Sequence, residues 1–302
     1  GIYLRERIAD ICRSRWIPDP PVSLPSLDQP LSSLRRLWIG FFDVVGRMCY
    51  SQSSEIVSLF ERNAAAQRYF GAAAEKITII PNGIQTEAFE VLNAAREARR
   101  SNLGNVGPVV GFLGRVVSIK DVKTLLRAAA RVRQTLPNVR FLIAGPQEEE
   151  PEYFAECQEL ATRLDLHDCA YFLGPKNRNE FLPELDLMIL SSVSEGLPFV
   201  VLESLAAGVP VVATDVGACA EILLGAADED PACGPAGRIA EVGSADQLAA
   251  ACVELLSDAA LLDQYSANGR RRVQRFYHED RVLGDYRKMY QTMMDHKLGS
   301  GD

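Results

Sequence analysis

The sequence predicts an α/β protein whose larger part is a doubly wound parallel sheet. Apolar runs of five or six residues alternate with amphipathic segments from position 108 onward, starting with VVGFLG and DVKTLLRAAARVRQTL. Apolar runs without a polar face are typical of parallel strands that are covered by helices on both sides. Polar side chains follow several of these runs directly, where the ligands of such sheets bind. We therefore expect one doubly wound domain over 106–275.

The composition agrees with a globular protein of more than one domain. Of the 302 residues, 47% are hydrophobic and 24% are charged, and the formal net charge is −8. An acidic chain without a concentrated basic face argues against a nucleic-acid partner. The seven cysteines include no C-x-x-C pair and are odd in number, which favours reduced thiols and a cytoplasmic location over a disulfide framework or a zinc site.

The first 90 residues lack the regular alternation, and we interpret 1–90 as part of a first domain that begins before Gly1. The proline-rich stretch WIPDPPVSLPSLDQP predicts a loop, because proline is not tolerated inside a helix. The next forty or so residues, roughly from Ser33, predict two helices.

The first of these helices has an apolar face, which we expect to pack in a core. The alternative is a membrane-surface role, because three arginines flank the face. The apolar positions are Leu34, Leu37, Trp38, Phe41, Phe42, Val45 and Met48, and the arginines are Arg35, Arg36 and Arg47.

A short strand, KITII, then ends at the turn formers Pro81, Asn82 and Gly83. The polar segment 91–105 predicts a linker to the doubly wound domain, in which the strand sequences VRFLIAG, AYFLG and LDLMILSS follow VVGFLG. The helical sequences DVKTLLRAAARVRQTL and EYFAECQELATRLDL separate the first three strands. A closing helix over 276–298 is expected to pack back on the first part of the chain, and the small polar tail 299–302 is expected to fray. Its apolar side consists of Leu283, Tyr286, Met289, Tyr290 and Met293.

The first candidate site follows VVGFLG. Arg115 comes directly after this strand, and Lys120 comes immediately before the helix that starts near Asp121. A lysine at a helix start opposes the helix dipole, so an anion between the lysine and the helix is a reasonable expectation. Two solvated surface cations are the alternative.

The second candidate site follows LDLMILSS and contains two acids eight positions apart, Glu195 and Glu203. Pro198 and Gly208 mark the ends of a short helix, whose first free amides, from Gly196 to Val200, can bind an anion or a hydroxyl group. Acids beside a phosphate site favour hydroxyl partners. The pattern therefore fits a ligand with a diphosphate between two sugars, one acid for each sugar. The alternative is a capping-turn acid followed by an exposed helix acid.

The third candidate site is FLGPKN, where Gly174, Pro175 and Lys176 follow a strand and could present backbone groups to a planar base.

Two other patterns indicate a functional site less strongly. The run from Asp228 to Asp230 has a D-x-D spacing that could hold a cation, although a solvated loop is favoured. The three histidines, His167, His278 and His296, are isolated, so neither a metal site nor a Ser/His triad is expected.

The ordered set of motifs resembles retaining glycosyltransferase family 4 enzymes of the GT-B fold. It consists of the E-x(7)-E pattern from Glu195 to Glu203 with its preceding buried strand, the block GRVVSIKDVKTLLRA and the turn IPNGI. Over essentially the whole chain, the sequence looks most like PelF-type exopolysaccharide glycosyltransferases. The segments GIYLRERI, LRRLWIGFFDVVGRM and LSSVSEGLPFVVLESLAAGVPVVATDVGACAEI carry this likeness.

The resemblance implies a GT-B chain with one complete Rossmann-like C-terminal domain and an incomplete N-terminal domain. It implies a cytoplasmic transferase, peripheral to the inner membrane, that passes a hexose from a UDP-sugar such as UDP-glucose to a saccharide acceptor without a metal or other cofactor. A membrane-bound export complex is the implied partner.

The resemblance also assigns roles to residues. Arg115 and Lys120, with Gly114 beside them, would bind the diphosphate and stabilise it as it leaves. Glu195 would hold hydroxyls of the transferred sugar, and Glu203 would hold the ribose of UDP. The backbone of Gly196, Leu197, Pro198 and Phe199 would line the sugar site. The alternative function is a non-catalytic nucleotide-sugar-binding or scaffold subunit of a polysaccharide synthesis complex, and another nucleotide or hexose is a third possibility.

Overall fold

The computed structural model describes residues 33–102, 107–226, 229 and 232–299. The chain divides into two compact units, Gly1–Ile80 and Pro81–Asp302. The proline-rich stretch predicted as a loop lies outside the described residues, as do Cys12, the side chain of His296 and the end of the polar tail.

The first unit contains both predicted helices and a small parallel sheet. Helix α1 spans Ser33–Gln52, strand β1 Ile56–Ser58, helix α2 Glu61–Tyr69 and strand β2 Ile77–Ile79. Strands β1 and β2 pair in parallel. Strand β1 was not predicted, because three residues are too few to show a period of two.

The apolar face of α1 is exposed in large part. Leu37, Trp38, Phe41 and Met48 are each more than half exposed, and the ring of Trp38 contacts that of Phe42 edge to face with 5.0 Å between centroids. The expectation that this face packs in a core is wrong for these side chains. Helical spacing shows that a face is apolar, but it does not supply the partner that would cover it.

The second unit begins with a helix where the sequence predicted a linker. Helix α3 spans Glu87–Asn102, and its residues Phe89, Leu92, Asn93 and Arg96 are buried. Arg96 looks like a solvent-exposed residue in the sequence. Its guanidinium instead donates to the backbone carbonyls of Leu185 and Asp186, so this polar segment is part of the domain's packing.

The second unit otherwise follows the predicted alternation of strands and helices. The remaining elements are β3 Val109–Leu113, α4 Val122–Thr135, β4 Arg140–Ala144, α5 Pro151–Arg163, β5 Ala170–Gly174, α6 Arg178–Phe181, β6 Leu187–Leu190, α7 Phe199–Ala206, β7 Val211–Thr214, α8 Cys219–Leu224, β8 Gly237–Ala240, α9 Ala245–Ser257, α10 Ala259–Phe276 and α11 Glu279–Gly299.

These six strands form one parallel sheet in the order β5-β4-β3-β6-β7-β8. Every residue of β6 and β7 is buried, as expected for central strands with helices on both faces. The chain reverses its direction of travel across the sheet between β3 and β6. In open parallel sheets, ligands bind at such a switch point, beside the loops that follow the two strands.

The closing helix α11 packs against the turn at the start of its own unit. Ile84 forms a parallel bridge with His278, and a Cβ placed on Gly83 would lie 3.0 Å from the Cα of Glu279. Val282 is buried there, whereas Leu283 and Tyr290 are exposed. The packing of this helix on the first part of the chain stays a prediction. In the part of the chain that the structure describes, every helix is too short or too polar to cross a bilayer.

Candidate active site

Backbone bonds hold the loops after β3 and β6 together at the switch point. The amide of Val193 donates to the carbonyl of Ile119 at 2.8 Å, and the Ser191 hydroxyl donates to the carbonyl of Lys120 at 2.9 Å. The loop after β3 ends in a 3-10 turn over Ser118–Lys120, followed by Asp121, which starts α4 and accepts from the amide of Thr124. This bracing fixes the backbone of Lys120 against the loop that carries Glu195.

The side chains of Lys120 and Glu195 form an ion pair at this position. The Nζ of Lys120 lies 2.6 Å from Oε1 of Glu195, and the side chains are 18% and 11% exposed. The Ser192 hydroxyl donates to the same oxygen at 2.6 Å. Two residues that the sequence placed in separate candidate sites are therefore in direct contact, and Lys120 is not a solvated surface cation.

Arg115 lies on the same loop but has a different partner. Its Nη1 contacts both carboxylate oxygens of Glu149, at 2.5 and 2.6 Å, and both side chains are about half exposed. Glu149 belongs to the loop after β4, which is tightly packed on the Arg115 loop. A Cβ added to Gly145, whose φ is 145°, would lie 1.9 Å from the carbonyl oxygen of Gly114. Sequence reasoning missed Glu149 because the run EEE carries no local signal for one particular acid.

The loop between Glu195 and α7 is held by its carbonyl groups. The carbonyl of Gly196 accepts from the amide of Ala218 at 2.9 Å, and that of Leu197 accepts from the side-chain amide of Asn82 at 3.2 Å. Asn82 comes from the IPNGI turn, which connects that motif to the E-x(7)-E pattern. Gly217 makes this approach possible, because its φ is 53° and a Cβ there would lie 2.0 Å from the carbonyl oxygen of Gly196.

Helix α7 begins with amides that its own cap leaves uncovered. The N-cap residue is Pro198, whose side chain has no acceptor, and the first helical residue, Phe199, is exposed. The first amides of a helix have no carbonyl partner within the helix. The anion or hydroxyl cradle from Gly196 to Val200, which follows Glu195 directly in the chain, stays a prediction.

Glu203 lies in the second turn of α7 and is paired with Arg178, the first residue of α6. The Glu203 side chain is only 12% exposed, which contradicts the alternative of an exposed helix acid. Burial raises the pKa of Glu203, and the charge and hydrogen bond of Arg178 partly offset that rise. The Arg178 guanidinium lies over the Phe89 ring, 5.4 Å from its centroid. Arg178 was missed because nothing in its local sequence indicates a partner 25 positions away.

The third predicted segment, Gly174–Lys176, ends β5 and precedes α6. The carbonyl of Gly174 accepts from the amide of Gly145 at 2.9 Å, which ties this segment to the loop after β4. Pro175 and Lys176 are exposed. The segment therefore joins the same group of loops and leads directly to Arg178.

The acidic loop predicted to be solvated contains a buried ion pair instead. Asp228 and Asp230 lie outside the described residues, but Glu229 bonds Arg272, and the two side chains are 5% and 1% exposed. Arg272 also donates to the carbonyls of Leu223 and Gly234. No local pattern in the sequence indicates that Arg272 is buried. Across the described ranges, no three His, Cys, Asp or Glu side chains are placed to hold a metal ion.

Comparisons with known proteins identify related sequences. A family model described as glycosyl transferases group 1 matches residues 107–258, and one described as a domain of unknown function, DUF3492, matches residues 1–75. A D-inositol 3-phosphate glycosyltransferase of Acidothermus cellulolyticus is 35% identical over 159 residues, which are 49% of this chain and 35% of that protein.

Solved structures show the same fold. The Anabaena Alr3699/HepE structure in complex with UDP and glucose matches with a TM-score of 0.66 and 22% identity, over 83% of this chain and 66% of that one. Sucrose-phosphate synthase of Thermosynechococcus elongatus matches with a TM-score of 0.70 and 20% identity, over 91% of this chain and 65% of that one. The predicted α/β GT-B fold class is confirmed. The chain spans only about a third to a half of the length of the first curated relatives that it matches.

Proposed function

The chain belongs to the glycosyl transferases group 1 family, and on that premise we propose that it binds a UDP-sugar and transfers the hexose to a saccharide acceptor with retention of configuration. The observation that carries this proposal is the meeting of Lys120 and Glu195 at the switch point of the sheet, beside the uncapped start of α7. One place then offers a cation and free amides for a diphosphate, and an acid for sugar hydroxyls.

The diphosphate is proposed to bind between Lys120, Arg115 and the first amides of α7. An ammonium group has three N–H donors and a guanidinium has five, so each retains donors beyond the present contact with Glu195 or Glu149. Fixed cations and backbone dipoles stabilise the negative charge that develops on a departing diphosphate. We propose that these groups do so without a metal or other cofactor.

The two acids are proposed to bind hydroxyl groups on either side of the diphosphate. The Oε1 of Glu195 already accepts from Lys120 and Ser192, which leaves Oε2 for hydroxyls of the transferred sugar. Glu203 would hold the ribose, and the Gly174–Lys176 backbone would face the base. We propose that Glu195 binds hydroxyls rather than acting as a nucleophile, and that the acceptor attacks on the face that the diphosphate leaves.

We propose UDP-glucose as the donor and a growing exopolysaccharide as the acceptor, on the strength of the resemblance to PelF-type enzymes. The Anabaena relative of the same fold that binds UDP and glucose supports the choice of nucleotide and sugar. The same resemblance leads us to propose a cytoplasmic protein that works at a membrane-bound export complex.

The test is transfer of labelled glucose from UDP-glucose to polysaccharide by the protein that contains this chain. We expect transfer by the unchanged protein and its loss in Glu195→Ala. Arg163→Gln is the control, because Arg163 is exposed and pairs with Glu159 of its own helix. UDP binding without any turnover would contradict an enzyme and favour the scaffold subunit. Equal transfer by the Glu195→Ala protein would contradict the proposed site.

A further inference from the structure

Arg178 is a side chain of the candidate site that neither the sequence motifs nor the family membership accounts for. It precedes Glu203 by 25 positions and lies on a different element, yet its Nη1 bonds Oε1 of the Glu203 carboxylate. Its guanidinium also lies over the ring of Phe89, which is buried on α3. Two independent contacts therefore orient the Arg178 side chain, which is 50% exposed.

This pairing matters because Glu203 is largely removed from water. Its side chain is 12% exposed, and a buried carboxylate prefers to take up a proton unless a cation lies nearby. A protonated Glu203 would lose acceptor capacity, because one oxygen would carry the proton. Ribose offers two neighbouring hydroxyl donors, so a ribose-binding acid works best when it is ionised.

We propose that Arg178 is a positioning residue for the ribose of the donor nucleotide: it keeps Glu203 ionised through Oε1 and leaves Oε2 to accept the ribose hydroxyls. Phe89 fixes the guanidinium so that it stays on Oε1. This inference rests on the proposed function, because it assumes that Glu203 binds the ribose of UDP.

Arg178 is the cation that we expect to keep Glu203 ionised. Among the charged groups that the structure describes, Arg178 is bonded directly to Glu203; burial raises the pKa of Glu203 and Arg178 partly offsets that rise. Helices α3, α8 and α10 pack against α7, and several of their charged side chains bond to groups other than Glu203. The pairs of these helices include Glu87 with His278, Glu97 with Asn93, Arg99 with Asp186, Arg100 with Asp263 and Arg272 with Glu229.

The test compares UDP with 2′,3′-dideoxy-UDP by calorimetric titration of the 302-residue chain between about pH 5 and 8. The ratio of the two dissociation constants isolates the contribution of the ribose hydroxyls. We expect a ratio on the order of tenfold to hundredfold for the unchanged chain, as for hydrogen bonds to a charged group. In Arg178→Gln we expect the ratio to fall several-fold at neutral pH. As the pH is lowered, we expect the ratio to approach one at a pH that is about one unit or more above the corresponding pH of the unchanged chain.

Further variants separate positioning from a merely structural role. Arg178→Lys keeps the positive charge but not the planar stacking group. We expect the ratio in Arg178→Lys to depend on pH nearly as it does in the unchanged chain. In a Glu203→Gln background, Arg178→Gln should change the ratio no further. Arg163→Gln removes an exposed cation and should change neither ligand's affinity. A ¹³C NMR titration of the Glu203 carboxyl in the unliganded chain should show a higher midpoint in Arg178→Gln.

Two outcomes would overturn the inference. The first is an unchanged ratio in Arg178→Gln, whether both affinities stay the same or both fall equally; an equal fall indicates a phosphate contact. Equal affinity of the unchanged chain for the two nucleotides would remove the ribose role of Glu203. No UDP binding by the unchanged chain would refute the proposed function itself, which distinguishes that failure from a failure of the Arg178 inference alone.

Discussion

Replacing Lys120 by glutamine should separate two contributions of this lysine: its ion pair with Glu195 stabilises the fold, and its ammonium group is proposed to bind the diphosphate of UDP. The substitution leaves the Glu195 carboxylate with the Ser192 hydroxyl as its remaining side-chain donor. Losing one partner of a buried pair costs about 3–5 kcal/mol, and losing an exposed one costs about 0.2–1 kcal/mol. Because the two side chains are 18% and 11% exposed, we expect an intermediate loss of about 2 kcal/mol in the free energy of unfolding.

Urea denaturation of the 302-residue chain measures this loss, and a second substitution identifies its cause. In the double variant Lys120→Gln with Glu195→Gln, no unpaired charge remains, so most of the stability should return. UDP binding should not return, because the phosphate has lost a charge-assisted hydrogen bond and affinity falls on the order of tenfold to hundredfold in both variants.

The matched control is Arg163→Gln, which breaks an exposed pair with Glu159 and should change stability by less than about 0.5 kcal/mol. The reasoning is refuted if Lys120→Gln is as stable as the control, or if the double variant is no more stable than the single one. It is also refuted if Lys120→Gln binds UDP as tightly as the unchanged chain.

Three further predictions concern the surroundings of the site. Glu149→Gln releases Arg115 from an exposed ion pair, so calorimetry should show UDP binding that is tighter, by about fivefold at most. Unchanged or weaker binding would contradict a phosphate role for Arg115. Gly217→Ala places a Cβ 2.0 Å from the carbonyl oxygen of Gly196 at a φ of 53°. Urea denaturation should therefore show a loss of about 1–3 kcal/mol in the free energy of unfolding. An unchanged midpoint would contradict the close approach. Glu229→Gln leaves the buried Arg272 unpaired and should cost about 3–5 kcal/mol at pH 7. Burial raises the pKa of Glu229, but the bonds from Arg272 and Cys233 outweigh burial, so the pKa is lower in the folded chain than in the unfolded chain. The stabilisation is therefore present above the unfolded pKa of about 4.3 and disappears as the pH falls through the folded pKa. A difference between wild type and variant that persists at low pH would contradict this account.

The sequence was informative where one pattern extends over many residues. The strand sequence VVGFLG and the run LMIL within LDLMILSS are apolar throughout, and the structure contains a strand in each. The contact between Lys120 and Glu195 spans 75 positions, yet the fold class brings the two residues close, because both follow strands at the switch point. Fold-level geometry thus located part of the candidate site.

The sequence was uninformative where a contact depends on tertiary packing alone. Arg96 and Arg272 are buried because carbonyl groups of other segments surround their guanidinium groups, and no local pattern shows this. The segment 91–105 is polar in composition, so a helix packed through a few residues could not be distinguished from a linker. Arg178 escaped notice for the same reason, since its pairing with Glu203 depends on how α6 and α7 meet.

The most direct test of the central claim is a crystal structure of the chain in complex with UDP. The account predicts the diphosphate within hydrogen-bond distance, about 3 Å, of Lys120 Nζ and of the first amides of α7, with the ribose hydroxyls on Glu203. Electron density for UDP at another place, or a diphosphate at the switch point that leaves Lys120 and those amides without contact, would contradict it.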